Sequence, residues 1–168
     1  MKVLKTPISA IIALALLTLV GCAAPDEKIA SDQQISISDN LTVDEQQQVI
    51  LAIDAWNLAT NGRIALRPSI GGQGLPISNG YAVGNLGEWD YNDGNPYIVV
   101  DTEVLAKCHG NYSENFRTTV MHELGHAFGL EHVATGLMMA SGPGKPIIDD
   151  DARDRVCANY GGCDLPKN

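Results

Sequence analysis

One run of eleven residues, His-Glu-Leu-Gly-His-Ala-Phe-Gly-Leu-Glu-His beginning at His122, constrains this chain more than any other feature. His122 and His126 are four residues apart, so on a helix they share one face and can bind one zinc ion. Glu123 stands beside them, where a general base belongs. Gly129 can end the helix through a left-handed turn, which brings His132 back as a third ligand. Three protein ligands and one open position are typical of a catalytic zinc site.

The run is far more specific than its shorter His-Glu-x-x-His core. The 168 residues include four histidines, and only His109 lies outside the run. Shuffling this composition would place the five fixed residues at this spacing in roughly one chain in 10⁵ to 10⁶. A buried helix with incidental histidines is therefore a poor alternative. The run therefore predicts one catalytic Zn²⁺.

The residues that follow the run extend the pattern. His-Glu-x-x-His-x-x-Gly-x-x-His followed by a Met-turn resembles the metzincin metallopeptidases. Met138 then corresponds to the Met-turn residue, which in that family packs beneath the metal, and Met139 is the alternate. Leu137-Met138 also resembles the matrixins, a metzincin group whose last helix opens in acidic residues and closes in Tyr-Gly. The segment from Asp149 to Gly161 has both features.

This resemblance covers roughly residues 43–161 and implies an α+β fold. The expected fold is a metzincin-like zincin domain: a twisted mixed β-sheet, an N-terminal helix, a zinc-binding active-site helix, the Met-turn and a C-terminal helix. In that family an edge strand pairs with the extended substrate by β-augmentation. By position, that strand would be Tyr81-Ala82-Val83-Gly84, and an ordinary interior strand is the alternative.

The N-terminus has the pattern of a secretory signal. Lys2 and Lys5 precede an apolar run, residues 8–20, that is too short to span a membrane. The run ends Leu-Val-Gly-Cys, which resembles a bacterial lipobox cut before Cys22 with lipid added to the cysteine; simple Ala-x-Ala-type cleavage is the alternative. Ala23 after the cysteine resembles sorting to the outer membrane, if the source is a diderm bacterium. We therefore expect a lipid-anchored protein of the bacterial cell envelope, facing the periplasm or the exterior.

These patterns predict a signal peptide over 1–21, a tether over 22–40 and one catalytic domain over 41–168. Losing Lys2 and Lys5 with the signal takes the formal charge from −9 to −11. So acidic a chain is not expected to bind nucleic acid, or anionic lipid by charge. We expect a monomer whose only membrane contact is the lipid on Cys22. Alternation through Ile35 and Ile37 leaves a first strand within the tether as an alternative.

Local patterns predict the remaining elements. Thr42 and Glu45 form a capping box ahead of an apolar-periodic helix that stops near Asn61-Gly62. Ser113 is the expected cap of the active-site helix. The other expected elements are strands over 63–69, 80–85 and 96–101, a loop over 71–80, and helices over 114–129 and 149–160.

Two further groups of side chains leave alternatives open. An exported chain permits disulfides, and any pairing among Cys108, Cys157 and Cys163 leaves one thiol over. The polar loop Asp90, Asn92, Asp93 and Asn95 could bind Ca²⁺ through oxygen atoms. A hairpin turn around Asp93-Gly94 is favoured, because the twelve-residue calcium-loop spacing is missing.

The motif and the resemblance together predict a zinc-dependent endopeptidase that acts on extended segments of a peptide or protein substrate. Glu123 would accept a proton from the attacking water and return it to the leaving amine. The alternative is a non-catalytic zinc-containing lipoprotein that binds an extended segment of an envelope partner. An intact Glu123 argues against that alternative, because a binding protein has no need of a base.

Overall fold

The computed structural model describes residues 28–141 and 146–164. The predicted signal peptide, Cys22 and most of the predicted tether lie outside these ranges. No helix in the described part of the chain is both long enough and apolar enough to cross a membrane.

Five strands form one mixed sheet in the order β2-β1-β3-β5-β4. The strands are β1 (Gln34–Ile37), β2 (Arg67–Ile70), β3 (Leu75–Asn79), β4 (Gly87–Asn92) and β5 (Asn95–Val100). β1 is parallel to β2 and β3, and β3 is parallel to β5, whereas β4 runs antiparallel to β5. β4 therefore forms one edge of the sheet. This mixed sheet, together with the helices, confirms the predicted α+β fold class.

Four helices accompany the sheet: α1 (Val43–Ala59), α2 (Thr102–Leu105), α3 (Tyr112–Ala127) and α4 (Asp150–Asn159). The predicted capping box of α1 is confirmed, because Thr42 accepts from the Glu45 N–H while Glu45 accepts from the Thr42 N–H. α3 carries the histidine motif. Its N-cap is Asn111 and not Ser113, whose hydroxyl instead donates to Asp44 on α1, 2.6 Å away.

Packing between α1 and α3 fixes the position of the motif. The Trp56 indole N–H donates to the Met121 carbonyl at 3.0 Å, inside the core. The Trp56 ring also meets the Phe128 ring edge-on, with centroids 5.1 Å apart. Both side chains are fully buried. Aromatic pairs in this geometry add roughly 0.5–1.5 kcal/mol beyond the area they bury. Packing against α1 therefore positions α3, the helix that carries the histidine motif.

The predicted strand over 80–85 is wrong, and the loop predicted over 71–80 is wrong for residues 75–79, which form β3. Leu75 and Ile77 alternate into the core and form β3 within that Gly- and Pro-rich segment. Pro76 is tolerated because pairing of β3 with β5 begins only at Ile77. The strand prediction failed because Tyr81 and Val83, the alternating apolar residues, do not face the core: their side chains are 76% and 70% exposed.

Tyr81-Ala82-Val83-Gly84 is consequently not the edge strand that the sequence predicted. These residues form an irregular connection with a turn at Val83-Gly84, and Gly84 has φ +73°. The Asn85 N–H donates back to the Ala82 carbonyl at 3.3 Å. The edge strand on that side of the sheet is β4, which starts at Gly87.

The predicted tether also ends earlier than expected. β1 lies inside the sheet between β2 and β3, and Ile35 and Ile37 are fully buried, so the alternative of a strand at this place is confirmed. Ile29 joins the fold as well, because its N–H donates to the Ala127 carbonyl at the end of α3, 3.1 Å away. The folded domain therefore includes residues from 28 onward and not only from 41.

Two other local predictions are settled by the structure. Asp93 and Gly94 form the two-residue turn between β4 and β5, with φ +51° and +80°, as hairpins of this length require. Cys157 and Cys163 form a disulfide that ties the end of α4 to the chain beyond it. Cys108 has a free thiol.

Candidate metal centre

The three predicted ligands meet at one point. The Nε2 atoms of His122 and His126 lie 3.1 Å apart, those of His126 and His132 lie 3.1 Å apart, and those of His122 and His132 lie 3.2 Å apart. Nitrogens bound about 2.0–2.1 Å from a tetrahedral zinc ion would be roughly 3.3–3.4 Å apart. The triangle therefore fits one small cation. Among the described residues, this is the one group of three or more His, Cys, Asp or Glu side chains close enough to share an ion.

Backbone carbonyls hold two of the rings with Nε2 facing the centre of the triangle. His122 Nδ1 lies 2.8 Å from the Leu137 carbonyl, and His126 Nδ1 lies 2.7 Å from the Leu130 carbonyl. A carbonyl only accepts, so each Nδ1 carries the proton and donates. Each Nε2 then keeps its lone pair for a metal, which is the usual arrangement around ligating histidines.

The turn after α3 supplies one of these carbonyls. Gly129 has φ +81°, the left-handed conformation that glycine adopts without strain. The Gly129 N–H donates to the His126 carbonyl at 2.8 Å, and the Leu130 N–H donates to the Gly125 carbonyl at 3.0 Å. This pair of bonds is the Schellman ending of a helix. The same turn thus ends α3, aims the Leu130 carbonyl at His126 and returns the chain toward His132.

Burial keeps the imidazoles neutral. It lowers the pKa of His126 to about 3, helped by the neighbouring His122, and it also lowers the pKa of His122 and of His132. A neutral imidazole is the form that binds a metal. At neutral pH all three rings are therefore ready to act as ligands.

Glu123 is almost completely enclosed, with 5% of its surface exposed. Burial raises the pKa of its carboxyl to about 8, a hydrogen bond from the Trp89 backbone N–H opposes that shift, and the charge of Glu88 adds to it. A zinc ion at the histidines would lower this pKa, because a nearby positive charge favours the carboxylate. The ionisation of Glu123 would therefore respond to a metal ion bound by the three histidines.

Gly87 lets β4 approach this carboxylate. A Cβ at Gly87 would lie 2.8 Å from Thr119 Cγ2 and 3.0 Å from both Cγ and Oε1 of Glu123. Thr119 turns its hydroxyl back to the Asn115 carbonyl at 3.0 Å, which leaves its methyl group facing the strand. Glycine at position 87 is therefore what allows the edge strand and the Glu123 carboxylate to lie side by side.

We expect Gly87→Ala to lower turnover of a protein substrate by about 10- to 100-fold, because displacing a catalytic group by roughly 1 Å can cost that much. Zinc content should not change, since no ligand contacts Gly87. Turnover and bound zinc would be measured on the same preparations. Gly80→Ala is the matched control, because its methyl group would meet Val99 Cγ2 at 2.5 Å, away from the metal centre. Equal losses in the two variants would show only general strain in the sheet.

Met138 lies where the Met-turn residue was predicted. Its side chain is buried against α3, and a Cβ at Gly125 would come within 2.4 Å of its sulfur. The Val133 N–H donates to the Met138 carbonyl at 2.9 Å, which closes the loop that follows His132. Met139, the alternate, is only partly buried.

Several residues of the site escaped prediction from sequence. The Leu130 and Leu137 carbonyls, the Trp89 N–H and Gly87 carry no side-chain signal that a sequence pattern could report. From sequence, Asp149 was only part of the acidic start of the last helix. In the structure its carboxylate also accepts from the Leu137 N–H, next to Met138. Of the residues that could bind calcium, Asp93 forms the favoured hairpin turn and Asp90 accepts from the Tyr91 N–H at 2.7 Å. Calcium binding there stays the less favoured alternative.

The fold is similar to that of a solved structure. The crystal structure of archaemetzincin (amzA) from Methanopyrus kandleri matches with a TM-score of 0.57 and 16% sequence identity. The match covers 79% of this chain and 97% of that one. No curated protein matches in sequence. The likeness shows a metzincin-like zincin fold.

The sequence identifies the family. Residues 17–133, more than half of the chain, match the reprolysin-like metallopeptidase family M12B. The chain belongs to this family. The narrower resemblance to the matrixins, carried by Leu137-Met138 and Tyr160-Gly161, stays a prediction.

Proposed function

We propose that this protein is a zinc endopeptidase that cleaves extended segments of other proteins, with Glu123 as the general base. The observation that carries the proposal is the triangle of Nε2 atoms, 3.1–3.2 Å apart, with the enclosed carboxylate of Glu123 on the same helix. A protein that only binds a partner has no use for an acid–base group beside its metal.

His122, His126 and His132 would hold the ion. A bound zinc ion supplies Lewis acidity, which lowers the pKa of water toward about 7 and polarises the scissile carbonyl. Glu123 accepts the proton of the attacking water and passes it to the leaving amine. The Trp89 N–H and the close approach of Gly87 hold the Glu123 carboxylate in place during both transfers.

The substrate strand is proposed to add to the outer edge of β4. In an antiparallel pair, the N–H and C=O of one residue point to the same side, and the side alternates along the strand. The Trp89 N–H points away from β5, since it donates to Glu123. Tyr91, two residues on, shares that direction, and its N–H donates to the Asp90 side chain. Both of these N–H groups already donate within the chain, so an extended peptide at this edge would donate to the outward Trp89 carbonyl and run past Glu123 and the metal centre.

Incubation with a complex protein mixture tests this function. We expect new N-termini inside unstructured segments, and we expect none when zinc is removed with a chelator. N-terminal sequencing of the released peptides would also give the cleavage preference. Partners that stay full length while binding the protein tightly would support the non-catalytic alternative instead.

We also propose that the enzyme is anchored to the cell envelope by lipid on Cys22, from the resemblance of residues 19–22 to a lipobox. The folded domain begins by residue 28, which leaves only a short tether after Cys22. Cys22→Ala should move the protein from the membrane fraction to the soluble fraction of bacterial cells. Membrane association equal to that of the wild type would contradict the anchor.

A further inference from the structure

The two histidines on helix α3 are held in different ways. The acceptor for His126, the Leu130 carbonyl, belongs to the turn that ends α3 and is fixed by that turn. The acceptor for His122 is the Leu137 carbonyl, fifteen residues further along the chain and beyond the third ligand. His122 therefore depends on a segment that the helix itself does not position.

A carboxylate from another helix holds that segment. Asp149 Oδ2 accepts from the Leu137 N–H at 2.8 Å, while the Leu137 carbonyl accepts from His122 Nδ1 at 2.8 Å. Both groups belong to Leu137, so the bond to Asp149 anchors the residue whose carbonyl meets His122. Leu137 is fully buried. Gly136 makes the approach possible, because a Cβ there would lie 2.3 Å from Asp149 Oδ2.

The second oxygen of Asp149 has a separate task. Oδ1 accepts from the Ala152 N–H at 3.0 Å and caps α4. One carboxylate therefore joins the start of α4 to the ligand segment. The two N–H donors meet different oxygens of the carboxylate, so a side chain with one oxygen atom cannot hold both donors in their present positions.

We infer that Asp149 is a positioning residue for the metal: it holds the Leu137 carbonyl against His122 and so keeps His122 Nε2 in the ligand triangle. This inference rests on the proposed zinc site. Asp149 would then help to retain the metal, in addition to capping α4. Loss of the Leu137 contact should let His122 turn out of the triangle and speed the release of zinc.

Asp149→Ser separates the two tasks, because serine caps a helix well but has no second oxygen for Leu137. We expect its zinc dissociation constant, measured by chelator competition, to rise by about 10- to 100-fold, the usual effect of losing a partner behind a ligating histidine. The visible spectrum of the Co²⁺-loaded protein should change as well. Asp149→Ala is a second variant that loses both contacts, and it should weaken zinc binding at least as much.

Thr42→Ala is the matched control, because it removes a helix cap of the same kind from α1, away from the metal. It should leave zinc affinity and the Co²⁺ spectrum unchanged. Zinc affinities within twofold of the wild type in both Asp149 variants would overturn the inference. These readouts do not depend on turnover: a wild-type protein that binds zinc but cleaves nothing would refute the proposed function alone.

Discussion

Glu123→Gln should leave zinc in place and lower kcat for an unstructured protein such as casein by about 10²- to 10⁴-fold, the usual contribution of general acid–base catalysis. Glutamine has nearly the same shape and can still accept from the Trp89 N–H, so the fold and the three ligands should persist. It cannot take up the proton of the attacking water at neutral pH. The variant therefore removes the acid–base chemistry and little else.

Glu131→Gln is the matched control for this experiment. Glu131 is exposed and lies next to His132 in sequence, so its replacement removes the same charge near the same site. We expect full turnover from it. Both variants would be assayed for bound zinc and for casein cleavage. Normal turnover in Glu123→Gln, or an equal loss in Glu131→Gln, would contradict the assignment of Glu123 as the base.

We also expect a large loss of zinc affinity and turnover in His126→Ala. Structural zinc sites with four ligands bind with about 10–16 kcal/mol, so one ligand accounts for roughly a quarter, and its loss should weaken zinc binding by about 10²- to 10³-fold. His126 is also buried, and its removal leaves the Leu130 carbonyl without the donor that now lies 2.7 Å away. Turnover should fall with zinc occupancy. Metal analysis after dialysis and an activity assay check both.

His109→Ala provides the comparison for His126→Ala. His109 is the only histidine outside the motif, and it is exposed. Its replacement should change neither zinc content nor turnover. Zinc binding that survived in His126→Ala at wild-type affinity would mean that the ion sits elsewhere.

The metal centre could be predicted from the sequence because its geometry is local. His122 and His126 share a helix face by spacing alone, and Gly129 predicts the turn that brings His132 back to them. Met138 follows within a few residues. The capping box at Thr42 and the turn at Asp93-Gly94 were predictable for the same reason: each depends on side chains only a few residues apart.

What supports the centre could not be predicted, because it comes from residues distant in sequence. Gly87 fits against Glu123 and Asp149 holds Leu137 only after the chain has folded, and no spacing rule links those pairs. The edge strand was misplaced for a related reason. Tyr81 and Val83 alternate as in a strand, but both side chains are exposed. The buried residues Leu75 and Ile77 form the strand instead, in a segment whose glycines and prolines are typical of a loop.

We propose that one zinc ion, held by His122, His126 and His132, makes this protein a peptidase. The most direct test is to strip the metal with a chelator and to titrate Zn²⁺ back while measuring casein cleavage. Cleavage should disappear on stripping and return in proportion to added zinc, reaching its maximum at one equivalent per chain. Cleavage that survives complete removal of zinc, or a fully zinc-loaded protein that cuts no protein substrate, would contradict the claim.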